Sequence, residues 1–212
     1  RRAVEQRRDR GESVLTAKIY VEGGGDGALQ DTLFRQAWRQ FFQAAGLAGR
    51  MPAVVRGQGR TQTFDLFATS VRAGKGGEVP LLLVDAEDAV QAGNSVWQHL
   101  KTRDGWEQPP GAAADQAFLM VRVMETWFIA DRGLLGRYFD AHFRPQHVPQ
   151  WPSLEDVDKA AVFAALDRAT AGCKKPYGKG KVSFELLGQL DPALVQAACP
   201  RAKALLDRLR AI

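Results

Sequence analysis

Leu81-Leu82-Leu83-Val84-Asp85-Ala86-Glu87-Asp88 decides how the rest of the chain is read. Four bulky apolar residues run together without polar alternation, which marks a strand buried on both faces in the middle of a parallel sheet. Three carboxylates follow within four positions, where such a strand surfaces. In open α/β sheets, ligands and catalytic groups gather outside the carboxyl ends of the strands, and Asp85, Glu87 and Asp88 belong at such an edge. The plainer reading is a polar loop leading into the next helix. Which of the two holds depends on whether other acids converge on the same place.

Toward the N-terminus, residues 15–21 (Leu-Thr-Ala-Lys-Ile-Tyr-Val) read as a strand that ends at Glu22. A glycine turn containing Asp26 opens a long amphipathic helix, with Leu29, Leu33, Ala37, Phe41 and Ala45 on one face and stops at Gly46 and Gly49. A short second strand over 53–55 ends at Arg56-Gly-Gln-Gly-Arg60, and a helix carrying Phe64, Phe67, Ala68 and Val71 follows. The opening stretch supplies a third strand, 79–84, and a helix over 94–103 comes next. The pattern is β-α-β-α-β-α. Right-handed crossovers then make the strands parallel, with helices on both faces of a Rossmann-like sheet.

Past a Pro- and Gly-rich loop at 104–114, a fourth buried strand is expected over 117–123, running into Met124-Glu125-Thr126-Trp127. From residue 132 the pattern turns helical. One helix runs through Val157, Ala161, Phe163 and Leu166 after a capping-box-like Ser153-Leu-Glu-Asp. A basic loop over 174–181 follows, and two short helices open at Pro192 and Pro200. The expected organisation is α/β: a flexible basic tail over 1–13, an α/β core over 14–131, and a helical extension over 132–212.

Bulk properties fit a globular chain able to bury a sizeable core: 212 residues, 45% hydrophobic and 25% charged. The formal charge is +5, of which residues 1–12 carry +2 through five Arg against Glu5, Asp9 and Glu12. The remaining body is mildly basic, compatible with nucleic acid without demanding it. No apolar run reaches membrane-spanning length, and the Arg-rich start lacks the apolar region of a secretory signal. That start, without Met, reads as beginning inside a longer product. Cys173 and Cys199 are far apart and near no His pair, which argues against a disulfide framework or zinc site and for a reducing cytoplasm.

Two chemistries compete at the first turn. Gly23-x-Gly25-x-x-Ala28 formally matches a dinucleotide fingerprint. However, Glu22 and Asp26 would face the pyrophosphate and repel it, and the second strand ends in Arg56 rather than in an acid for the ribose. Asp26 alone also suits a helix N-terminus. The alternative is a metal centre. If the first and third strands are neighbours, Glu22, Asp26, Asp85 and Glu87 meet at one edge, and a hard divalent cation, Mg²⁺ or Mn²⁺, relieves their repulsion. The lack of His and Cys argues against zinc.

Tyr20-Val21-Glu22-Gly23-Gly24-Gly25-Asp26, taken with Leu82-Leu83-Val84-Asp85-Ala86-Glu87, resembles the Toprim domain. Met124-Glu125-Thr126-Trp127, followed by Asp131, is similar to the small stand-alone relatives of overcoming-lysogenization-defect nucleases found in phage-defence operons. The resemblance covers about 15–131 and, weakly, the loop near Lys179. It departs from the family pattern at Glu87, where an Asp is usual. The resemblance implies a divalent-metal-dependent nuclease acting on DNA or RNA, with a partner ATPase as one setting it suggests. Hydrolysis is favoured because the chain lacks the extra domains that strand rejoining and primer synthesis require. Asp26, Asp85 and Glu87 would then hold metal. Glu22 would be a ligand or general base, and Glu125 would complete the shell. Lys179 or Lys181 would stabilise the charge that builds up on phosphorus, and Arg56, Arg60, Lys175 and Tyr177 would line the nucleic-acid path. A non-catalytic nucleic-acid-binding or regulatory subunit, or a dinucleotide-dependent enzyme, remains an alternative. Trp97 and Trp106 can stack bases but suit the core as well, and His142 and His147 read as structural.

Overall fold

In the computed structural model, which describes residues 15–23 and 28–212, four strands form one all-parallel sheet in the order β2-β1-β3-β4. They are β1 (Thr16–Glu22), β2 (Ala53–Gly57), β3 (Glu78–Asp85) and β4 (Ala117–Met120). The basic tail over 1–13 and Asp26 lie outside the described residues. Register runs Val21 to Leu83 between β1 and β3, and Asp85 to Met120 between β3 and β4. The apolar run 81–84 thus lies in a central strand, β3, whereas the other run expected to be a buried strand begins in the edge strand β4.

Alternation along the strands feeds two separate cores. Tyr20, Leu82, Val84 and Leu119 pack with Phe67 of α2 (Arg60–Ala73) and with Trp97 and Leu100 of α3 (Val96–Asp104). On the other face, Ile19, Val21, Leu81, Leu83 and Met120 pack against α1 (Ala28–Phe42), whose Phe34, Trp38 and Phe41 are buried. The sheet is therefore covered on both sides, as parallel sheets require.

The remaining helices are α4 (Glu125–Ala130), α5 (Arg132–Tyr138), α6 (Lys159–Thr170), α7 (Lys181–Leu187), α8 (Pro192–Ala198) and α9 (Pro200–Arg210). They do not sit apart from the α/β unit. Trp127 of α4 lies against Trp38 and Phe41, Phe184 of α7 meets Phe34 edge-on at 5.6 Å, and Leu205, Leu206 and Leu209 of α9 join the same cluster. The sheet ends at Met120, and the core continues across the expected break at 131/132.

Several boundaries differ from the expected ones, three of them with a clear local cause. β4 stops at Met120 rather than at residue 123, because the chain bends there into α4. Pairing nevertheless continues past the strands, with Ala86 N–H donating to Met120 O at 2.8 Å and Glu87 N–H to Arg122 O at 2.7 Å. The helix expected from residue 94 opens at Val96, where Ser95 and Gln98 form a reciprocal capping box. The end of the basic loop is itself helical: α7 starts at Lys181, directly after Gly180, whose φ of 98° suits glycine. Seven residues behind a Lys/Gly run give no legible period, so only packing against α1 reveals that helix.

Candidate functional site at the β1–β3 edge

The chain leaves β1 toward β2 on one side and returns through α2 to β3 on the other, so strand order reverses between β1 and β3. Crossover helices leave that point on opposite faces and open a crevice at the carboxyl ends of the strands. Glu22 is the last residue of β1 and Asp85 the last of β3, Glu87 lies two residues on, and Glu125 opens α4 behind β4. All four line one cavity of about 390 Å³, with Lys179 on its wall. The convergence expected for Glu22, Asp85 and Glu87 therefore holds. Glu125 joins them because β4 lies beside β3.

Each acid has a partner of its own. Glu22 Oε2 accepts from Arg60 Nη1 at 3.1 Å. Asp85 Oδ1 accepts the Met124 backbone N–H at 2.9 Å. Glu87 Oε2 accepts from Lys159 Nζ at 2.5 Å. Glu125, 3% exposed, accepts from the Tyr177 hydroxyl at 2.6 Å, and that oxygen also meets Ser183 Oγ at 3.1 Å. Burial pushes the Asp85 carboxyl well above the usual carboxylate range, and the neighbouring Glu125, Glu22 and Glu87 push it the same way against the Met124 hydrogen bond. Burial also raises Glu22, opposed by the Arg60 charge. The Tyr177 hydroxyl is raised as well, by burial and by Glu125, so it stays a donor. Glu87 sits at φ 65°, the one described non-glycine residue in the left-handed region. Such conformations cost about 1–3 kcal/mol and cluster at functional sites.

The other expected site residues divide clearly. Lys179 lines the cavity, its Nζ 4.6 Å from the Phe163 ring centroid. Lys181 does not line it and pairs with Glu185 at 3.7 Å on the exposed side of α7. Lys175 belongs to a separate cavity of about 300 Å³ beside Tyr138, Asp140 and Glu185. The expectation that Arg56, Arg60 and Tyr177 line a nucleic-acid path is corrected. Arg56 is buried against the Phe34 ring and paired with Asp31, Arg60 is locked to Glu22 and Asp104, and Tyr177 is turned inward to Glu125. Their polar atoms serve the protein rather than a surface. Trp97 and Trp106 are likewise packed, Trp106 stacked on Phe64 at 4.4 Å. Asp88 points away to Arg103 at 3.2 Å, so Glu87 is the acid that reaches the cavity.

Sequence reasoning missed Lys159 and Asp104. Asp158-Lys159 is an ordinary helix start, and nothing local ties it to a residue 72 positions earlier. Asp104 carried a readable signal: an acid ending α3 opposes the helix dipole, which implies a cation holding it. That cation is Arg60, joined by the adjacent Arg103.

The residues present can be tested against a divalent cation. The donor set is four carboxylates, hard oxygen ligands of the kind Mg²⁺ and Mn²⁺ prefer, and burial, joined by the charges of the neighbouring acids, raises the Asp85 proton affinity. Among the described residues, no three such side chains stand close enough to form a ready-made cage. The set fits the ion in kind, provided the acids exchange their present partners.

The pattern of a family described as a domain of unknown function, DUF4276, matches residues 21–210. The chain belongs to the DUF4276 family. The matched span starts just before Glu22 and takes in Asp85, Glu125, Lys159 and Lys179, so the sheet edge and the C-terminal helices that complete the cavity belong to one DUF4276 unit. No curated protein and no solved structure matches the chain.

Proposed function

We propose that this DUF4276 protein is a divalent-metal-dependent nuclease that hydrolyses phosphodiester bonds in DNA or RNA. The observation that carries the reading is the convergence of Glu22, Asp85, Glu87 and Glu125 from three strand ends on one cavity at the strand-order switch point, with Lys179 on its wall. Asp85, Glu87 and Glu125, with Glu22, are the residues to hold Mg²⁺ or Mn²⁺. When bound, such an ion neutralises phosphate charge and lowers the pKa of a coordinated water. In this reading Glu22, whose proton affinity burial raises, serves either as a further ligand or as the base that accepts a proton from an attacking water, and Lys179 on the cavity wall meets phosphate charge. A phage-defence setting, a partner ATPase and a cytoplasmic location follow from the resemblance to Toprim nucleases, and buried free Cys173 and Cys199 accord with a reducing compartment. No helix among the described residues is long and apolar enough to cross a membrane.

A second reading, a nucleic-acid-binding subunit without catalysis, draws on the present pairing of every acid with a protein group. Cleavage of mixed DNA and RNA substrates with Mg²⁺ or Mn²⁺ separates the two. Wild type is expected to cut, while Asp85→Ala and Glu22→Ala, folded by thermal melts, do not. A wild type that neither cuts nor shifts its melting temperature with metal would leave the binding subunit.

A further inference from the structure

We propose that Arg60 is the positioning residue of the acid cluster, a fixed cation that holds the Glu22 carboxylate and competes with a divalent cation for it. The inference rests on the metal-dependent reading above and names how that site is regulated by its own chain.

Arg60 opens α2, and its side chain turns toward the strand ends. Two sides of the guanidinium are already committed. Nε and Nη2 donate to the two oxygens of Asp104 at 2.8 and 2.7 Å, and the group lies over the Trp106 ring, 5.1 Å from its centroid. Trp106 is fixed in turn by stacking on Phe64 with an interplanar angle of 8°. A planar fork plus a stacking face is what Arg supplies and Lys does not. So held, Arg60 has Nη1 left over, which donates both to Glu22 Oε2 and to the Asp85 backbone carbonyl. One nitrogen thereby ties the end of β1 to the end of β3, the two strands that deliver the acids. The Arg60 side chain is only 14% exposed and does not line the cavity, so it acts on a ligand through Glu22 rather than by contact.

A purely structural ion pair explains the Asp104 fork but not the third contact. The two readings differ in what happens to metal affinity. Removing the Arg60 charge frees Glu22 and takes a cation away from the cluster, which favours an incoming divalent ion. Neutralising Asp104 leaves Arg60 wholly to Glu22, which disfavours it. Loss of fold would weaken binding in both variants.

The test is Mn²⁺ binding, measured by electron paramagnetic resonance on protein without substrate, for wild type, Arg60→Gln and Asp104→Asn. Arg60→Gln is expected to bind about tenfold more tightly, the scale of one unit charge acting on a divalent ion about 6 Å away under water-like screening. Asp104→Asn is expected to bind severalfold more weakly. Equal constants, or shifts of the same sign in two folded variants, overturn the inference while leaving the metal site standing. No Mn²⁺ binding by folded wild type overturns the metal reading and this inference together. If melting curves show Arg60→Gln unfolded, the sign in Asp104→Asn decides alone, and an unchanged constant there overturns the proposal.

Discussion

Asp85→Asn is expected to stabilise the protein at pH 8 and to disable it. The Asp85 carboxyl has three acidic neighbours and one stabilising hydrogen bond, from the Met124 N–H. Asn keeps that bond through its carbonyl oxygen and offers its amide to the acids, so the change relieves repulsion without opening a cavity. Replacing a poorly compensated buried charge by a neutral isostere contributes about 1–2 kcal/mol, and for a chain of this size that raises Tm by roughly 2–8 °C. The sign with pH follows from the raised proton affinity. In the unfolded chain the carboxyl titrates near its ordinary 3.8, while in the folded protein it holds its proton to higher pH. Wild-type stability therefore falls as pH rises from that value through the raised folded one, the reverse of a salt-bridged Asp. The gap between Asp85→Asn and wild type should be near zero at pH 4 and widest at pH 8. Differential scanning calorimetry across that range checks it. A variant that melts below wild type at pH 8, or a gap that does not change with pH, would refute the account of Asp85. Saturating Mn²⁺ should then reverse the order, since a ligand at 100 times its Kd adds about 2.7 kcal/mol to the state that binds it.

Two further substitutions probe the same edge. At Glu87, φ 65° favours glycine, so Glu87→Gly should be more stable than Glu87→Ala by about 1 kcal/mol in denaturant titrations, although glycine is ordinarily the weaker choice. Alanine at least as stable as glycine would show that the backbone is not strained there. Tyr177→Phe removes the hydroxyl that donates to Glu125 and leaves a buried acceptor unpaired. It should cost about 1–3 kcal/mol in the same assay, and a loss below a few tenths would mean that water reaches Glu125.

The sheet was legible because its signals are local. The unbroken apolar run 81–84 marked a central strand, and Glu22 and Asp85 followed from where β1 and β3 end. Parallel pairing then brought the two acids to one edge. What escaped depends on contacts between distant positions. Arg56, Arg60 and Tyr177 have polar ends that suit nucleic acid as well as they suit Asp31, Asp104 and Glu125, and only tertiary packing decides between those partners. Lys159 was invisible for the same reason. Of the four lysines in one short basic run, Lys174, Lys175, Lys179 and Lys181, Lys179 alone lines the cavity, beside the turn at Gly180, a choice made by backbone direction rather than composition.

The way α9 closes the second core has a consequence for synthesis. Leu205, Leu206 and Leu209 lie under the same sheet face as Ile19 and Leu83, and from the last third of the chain Lys159 and Tyr177 hold acids of the cavity and Lys179 lines it. A nascent chain that has emerged only through β4 holds Glu22, Asp85 and the α1 cover of that face, but lacks the residues of α4, α7 and α9 that complete the cluster. Domains fold as units when their buried surface is complete, so the cavity takes shape only once α9 has cleared the ribosome.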